Sequence, residues 1–95
     1  MSTKDIYCLI DMIELQQWRQ GCNGFIITKG KLTYITDYLN MELDNEYLVI
    51  YFHTNQNINW IFDISLIDNI NYNSKNDLVE CEFKIGNISI KLKAY

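Results

Sequence analysis

Apolar residues occupy every second position near the carboxyl end of the chain: Val79, Cys81, Phe83 and Ile85, then Ile88, Ile90, Leu92 and Ala94. The two runs are separated by Gly86-Asn87, a dipeptide suited to the positive backbone angles of a two-residue hairpin loop. Closing the loop there sets Ile85 opposite Ile88, Phe83 opposite Ile90, Cys81 opposite Leu92 and Val79 opposite Ala94 on one face. On the other face the same register pairs Glu82 with Lys91 and Glu80 with Lys93. Each cross-strand pair contributes about 0.2 to 1 kcal/mol, so the charges select the register while the apolar face supplies the stability. A slip of one residue would bury lysines. The pattern predicts a β-hairpin over Leu78 to Tyr95.

At the other end Ile6, Leu9, Ile10 and Ile13 recur at helical spacing, Ser2 stands three residues before Asp5 as an imperfect capping box, and Gly21 can stop the run. A helix is expected from Thr3 to Gln20, although Ile6 to Ile10 alone also fits a buried strand. Phe25 to Thr28 and Lys31 to Thr36, joined at Lys29-Gly30, read as a first hairpin. Tyr38 to Leu43 fits either a strand or a helix, and Asp44-Asn45 reads as a turn. Glu46 to Thr54 has the near-continuous apolar character of a central strand, with Leu48, Ile50 and Phe52 on one side and Tyr47, Val49, Tyr51 and His53 on the other. Trp60 to Ile64 follows as a strand, and Leu66 to Tyr72 continues it past a bulge or forms an irregular segment. The asparagine clusters at Asn55 to Asn59 and Asn69 to Asn76 mark loops.

Together these elements predict an α+β fold in a single domain, residues 1–95. An N-terminal helix packs on an antiparallel β-meander of five to seven strands, arranged as a curled sheet or as a small open barrel of the pleckstrin-homology kind. Twist and bulges decide between the two, and neither is readable from periodicity.

Composition changes the picture mainly by exclusion. The net charge of −4 and pI near 4.7 argue against a phosphate-backbone binder, which needs a clustered basic stripe. Eight basic residues set among twelve acidic ones suggest a mixed surface field rather than an acidic mimic of DNA. Three cysteines, Cys8, Cys22 and Cys81, are an odd number without a C-x-x-C pair, which excludes a complete disulfide framework and gives no zinc or redox motif. No apolar run approaches the roughly 20 residues of a membrane helix, and the opening residues lack the order of a signal peptide. The expected setting is cytoplasmic, reducing and away from membranes. Abundant Asn and Ile without proline fit an AT-rich genome, of a host or its phage.

Chemistry has few places to reside. His53 beside a cysteine would make a thiol–imidazole pair, but a lone histidine near a strand end is ordinarily a half-buried residue with one hydrogen bond. Asp63 interrupts an apolar strand and is a candidate acid–base group, against the commoner role of a solvated or hydrogen-bonded carboxylate. Asp11 and Glu14 read as surface charges on the helix. Gly21, Gly24, Gly30 and Gly86 are too scattered for a phosphate loop. Lys29, Lys31, Lys91 and Lys93 would converge if the two hairpins were neighbours, with Glu80 and Glu82 neutralising half of them. No catalytic residue, metal ligand or cofactor site is expected.

The stronger signal is an apolar surplus. Cys8, Met12 and Leu15 lie away from the Ile6–Ile13 stripe, and Tyr7 with Trp18 forms a third sector, so one sheet face cannot cover this helix. Tyr47, Tyr51 and Ile61 add large side chains on the second faces of their strands. A sheet curled round the helix would bury both groups. Otherwise they are interface residues, and Met12, Leu15, Trp18, Tyr47 and Tyr51 are the expected partner-binding set. This favours a small non-enzymatic module that binds another protein, as an inhibitor, immunity factor or accessory subunit, or binds itself as a homodimer. The alternative is a small-ligand domain or minor enzyme with a pocket between helix and sheet, lined by Trp18, Tyr34, Trp60 and Asp63. Nucleic acid is disfavoured, with a single-strand stacking surface its one serious form.

Overall fold

The computed structural model describes residues 3–95. The capping box proposed at Ser2 lies outside them. Helix α1 runs from Thr3 to Leu15 and widens into a π-helical turn at Gln16–Gln20. Eight strands follow: β1 (Phe25–Lys29), β2 (Leu32–Thr36), β3 (Leu39–Asp44), β4 (Tyr47–His53), β5 (Asn57–Asp63), β6 (Ile67–Lys75), β7 (Leu78–Ile85) and β8 (Ile88–Ala94). They form two antiparallel sheets, β2-β1-β8-β7-β6 and β3-β4-β5. Each strand pairs with its predecessor except where the chain crosses between sheets, at Thr36–Leu39 and Asp63–Ile67, and β8 returns to pair with β1. The α+β helix-on-meander architecture is therefore present as an unclosed, curled arrangement, with eight strands rather than five to seven because Tyr38 to Leu43 and the asparagine-rich Asn69 to Asn76 segment both supply strands. Among the described residues no helix is long and apolar enough to cross a membrane.

The carboxyl-terminal hairpin has the expected register, with Ile85 opposite Ile88, Phe83 opposite Ile90, Cys81 opposite Leu92, Glu82 opposite Lys91 and Glu80 opposite Lys93. The first hairpin turns one residue later than expected, between Lys29 and Leu32, with Gly30 at φ 62°. The ambiguous segment Tyr38 to Leu43 yields strand β3. The largest departure is at Asn69 to Asn76, expected as loop. Most of it is strand β6, with Asn71 and Asn73 paired to Glu82 and Glu80. A bulge between Asp68 and Asn71, with Asn69 at φ 56°, breaks the two-residue period, so of the two alternatives for Leu66 to Tyr72 the bulged strand is present, though in the other sheet from β5.

One core fills the space between the sheets. Phe25, Ile27, Leu48, Ile50, Phe52, Phe83, Ile90 and Leu92 point inward and are fully buried or nearly so. The helix contributes Ile6, Leu9 and Ile13 from its inner stripe. Its carboxyl end is fastened by two glutamines. Gln16 is buried, its Oε1 accepting the N–H of Val79 (2.7 Å) and its Nε2 donating to the carbonyl of Gly21 (3.1 Å). Gln17 Oε1 accepts the N–H of Leu39 at 2.9 Å. The helix thus satisfies main-chain donors at the start of β7 and at the start of β3, tying both sheets to one element.

The crossing at Thr36 is equally specific. Its buried hydroxyl donates to the carbonyl of His53 (2.7 Å) and receives the N–H of Tyr38 (3.2 Å). Directly across, a Cβ on Gly24 would stand 2.5 Å from the Thr36 carbonyl oxygen, so glycine is the residue that permits this approach.

Candidate interaction surface

Alternation along β4 puts Leu48, Ile50 and Phe52 in the core and leaves Tyr47, Val49, Tyr51 and His53 on the outer face of the three-stranded sheet. The pairing of β3 and β5 to β4 then fixes four outward rows. Asp44, Tyr47 and Asp63 form the first, Glu42, Val49 and Ile61 the second, Asn40, Tyr51 and Asn59 the third, and His53 with Asn57 the fourth. An apolar and aromatic spine runs down the centre, with Tyr47 at 47% and Ile61 at 64% of full exposure. Carboxylates flank it at one end and amides at the other.

The amide end is ordered by ring contacts. Tyr38 stacks on His53 with centroids 5.7 Å apart and meets Tyr51 edge-on at 6.1 Å, and Tyr51 Oη lies 3.2 Å from Asn57 Oδ1. At the acid end Asp63 Oδ1 accepts the backbone N–H (2.9 Å) and hydroxyl (2.8 Å) of Ser65, which holds its carboxyl below the usual carboxylate range. Asp63 therefore caps the 3₁₀ turn Ile64–Leu66 as a structural hydrogen-bonded acid. Glu46, Asp63, Ile64 and Ser65 line a shallow concavity beside Tyr47.

The five residues proposed from the sequence fall on two surfaces. Tyr47 and the half-buried Tyr51 stand on this sheet face. Leu15 and Trp18, the latter 70% exposed, line the outer flank of the helix with Asp11 and Glu14, while Met12 is half-buried against the core. The residues of the ligand-pocket alternative also separate. Tyr34 and Trp60 pack edge-to-face at 5.8 Å in the aromatic cluster around Phe52, whereas Trp18 and Asp63 lie at the helix flank and at the end of β5.

The thiol–imidazole idea meets similar geometry. His53 keeps company with tyrosines, Cys81 is buried in β7 where desolvation pushes its thiol up to about 12, and burial likewise raises the thiol of Cys22. The four lysines make no single patch. Lys91 and Lys93 share the outer face of the five-stranded sheet with Thr28 and Ile26, but Lys29 turns to the opposite face, its Nζ 5.0 Å from the centroid of Trp60.

Sequence reasoning missed Val49, Glu42, Asp44 and the two helix-end glutamines. One signal for the acidic residues was available: no lysine or arginine occurs between Lys31 and Lys75. The interspersion of charges inferred from whole-chain composition thus holds for the five-stranded sheet and fails for the three-stranded one. Comparison with protein-family profiles, curated proteins and solved structures returns no match to this chain.

Proposed function

We propose that the chain is a non-enzymatic protein-binding module, acting as an inhibitor, immunity factor or accessory subunit, and that the outer face of its three-stranded sheet is the contact surface. The observation that carries this reading is the spine of Tyr47, Val49, Tyr51 and Ile61. It presents apolar area to solvent from a sheet whose other side already holds the core. Tyrosine at such a centre offers large contact area at low entropic cost and a polar tip.

Affinity capture from the native host tests it. The unmodified chain is expected to retain one protein partner, and Tyr47→Ala to weaken capture by about 30-fold, the effect of losing a hot-spot contact of ~2 kcal/mol. Ile35→Ser on the other sheet should leave capture unchanged. Loss with Trp18→Ala but not with Tyr47→Ala would transfer the contact to the helix flank, and a chain that captures nothing would overturn the reading.

A second copy of the chain is the other reading with an observation in its favour. Strand β2 is a free sheet edge carrying Leu32 and Ile35, 59% and 60% exposed, which suits strand addition between copies. Light scattering across a concentration series decides it, since a monomer throughout would remove the homodimer.

A further inference from the structure

The proposed contact face also has a chemical polarity that points to the kind of surface it meets. Its eleven outward positions on β3, β4 and β5 include Glu42, Asp44 and Asp63, with Glu46 in the adjoining turn, and none is lysine or arginine. The five-stranded sheet answers its own charges: Lys91 stands opposite Glu82, with Nζ 4.0 Å from the carboxylate, and Lys93 stands opposite Glu80. Two sheets of one small domain thus treat acid differently, neutralising it within one outer face and collecting it on the other.

We propose that the three-stranded face docks a protein surface bearing arginine or lysine around an apolar centre, with a basic side chain seated over Tyr47 between Asp44 and Asp63. This rests on the reading of the face as a protein contact. The first row supports it because Asp44 and Asp63 are the two cross-strand neighbours of Tyr47, one on each side. Directly opposed residues in antiparallel strands have Cβ atoms about 4.5–5.5 Å apart. A guanidinium laid on the phenol ring reaches a carboxylate on either side without leaving the ring face, combining a cation–π contact with a charge-assisted hydrogen bond. Asp63 is suited to this task, since both of its bonds to Ser65 engage Oδ1 and leave the lone pairs of Oδ2 to accept from a partner.

The second row extends the fit. Val49 and Ile61 offer the partner's apolar residues a floor, and Glu42 supplies a further carboxylate beside it. A nucleic acid is the wrong occupant, because its phosphates would meet the acids. A second copy is also wrong for this face, because the same face of another chain brings no lysine or arginine to answer the acids. Charge on the rim governs encounter rate and partner choice more than it governs final affinity, so the association should be fast and salt-sensitive.

The test is an amide-resolved NMR titration with two extended peptides of equal length and equal valine content, one carrying arginine and the other glutamate at alternate positions. The arginine peptide is expected to shift amides in Asn40–Asp44, Tyr47–Tyr51 and Asn59–Asp63 while leaving Ile26, Thr28, Lys91 and Lys93 in place, and the glutamate peptide to shift neither group. Replacing Asp44→Asn together with Glu42→Gln should weaken the arginine peptide by about tenfold, and raising salt from about 50 to about 500 mM should weaken it further. Both substitutions are at exposed positions, and unchanged amide spectra of the free variant verify its fold. Equal response to both peptides, no response to either, shifts centred on Asp11, Glu14 and Trp18, or a variant that binds undiminished would each overturn the proposal. If the arginine peptide fails while host capture still depends on Tyr47, the basic partner is refuted and the contact face stands. If host capture fails as well, both fall.

Discussion

The outer faces of the two sheets follow the same two-residue alternation and end with opposite electrostatics. Across the five-stranded sheet one row reads Ile35, Ile26, Lys93, Glu80, Asn73 and the next Thr33, Thr28, Lys91, Glu82, Asn71, so each central base faces an acid one strand away. Across the three-stranded sheet the rows place acids beside tyrosine, valine and isoleucine with no lysine or arginine among them. A face that pairs its own charges needs nothing from outside beyond water. A face that gathers like charge around apolar side chains carries some self-repulsion, with no lysine or arginine on the same face to answer it. The contrast teaches that net charge is a poor guide to surface field, because here a modest excess of acid is distributed by sheet.

The two sheets differ outside but share one interior, and removing Phe52 is the severest way to disrupt what they share. Phe52 is fully buried on β4, with the Tyr34 ring of the five-stranded sheet 5.4 Å away and the Trp60 ring of its own sheet at 4.9 Å. Phe52→Ala is expected to cost ~3–5 kcal/mol through lost burial and a residual cavity. Urea unfolding followed by tryptophan emission and by far-ultraviolet circular dichroism should give coincident transitions in wild type and variant. Separated transitions would make the sheets independent units with different stabilities, and the comparison would then extend to their interiors.

A smaller effect distinguishes the sheets by their attachments to the helix. Gln16→Leu conserves approximate volume but leaves the N–H of Val79 buried without its acceptor, at a cost of ~1–3 kcal/mol. Gln17→Ala releases the N–H of Leu39 in a half-buried place and should cost less, about 0.5–1.5 kcal/mol. Hydrogen exchange reads out the difference: Gln16→Leu should speed exchange first at Val79 on the five-stranded sheet, Gln17→Ala first at Leu39 on the three-stranded one. The same protection pattern in both variants would mean that the helix end is held as a whole rather than by two separate bonds.

These glutamines also show where sequence stops being informative. The carboxyl-terminal hairpin was legible because turn residues, apolar alternation and Glu–Lys pairing all specify one register, and the inner helix stripe of Ile6, Leu9 and Ile13 was legible because a single period carries it. Strand β6 was not, since the bulge near Asn69 shifts the phase between Ile67 and Tyr72 and no average over a window survives that shift. The pairing of β8 with β1 joins residues separated by most of the chain, where no turn links the register to local sequence. Gln16 reads locally as a polar residue at a helix end, and its burial is set by a strand 63 positions away. On the surface, the tyrosines were visible as surplus, but the company they keep on β3 and β5 depends on pairing. The acidic field was in plain sight as the base-free stretch after Lys31, and averaging charge over the whole chain concealed it.

The smallest expected effect is the most direct comparison of the faces. Lys91→Glu puts like charges at the position where Lys91 now faces Glu82, so stability should fall by about 0.2–1 kcal/mol, seen as a lower urea midpoint. Glu42→Lys is the same kind of reversal on the other sheet, where the cross-strand neighbour is Val49 and acids occupy the rows around it. There stability should stay within about 0.5 kcal/mol of wild type or rise, because repulsion among Glu42, Asp44 and Asp63 is relieved. Added salt should shrink both differences, since both sites are solvent-exposed. Opposite signs would establish that one face is electrostatically finished by folding and the other is not, whereas equal losses would show that Glu42 already has a stabilising partner and that the acids of the three-stranded sheet serve the fold.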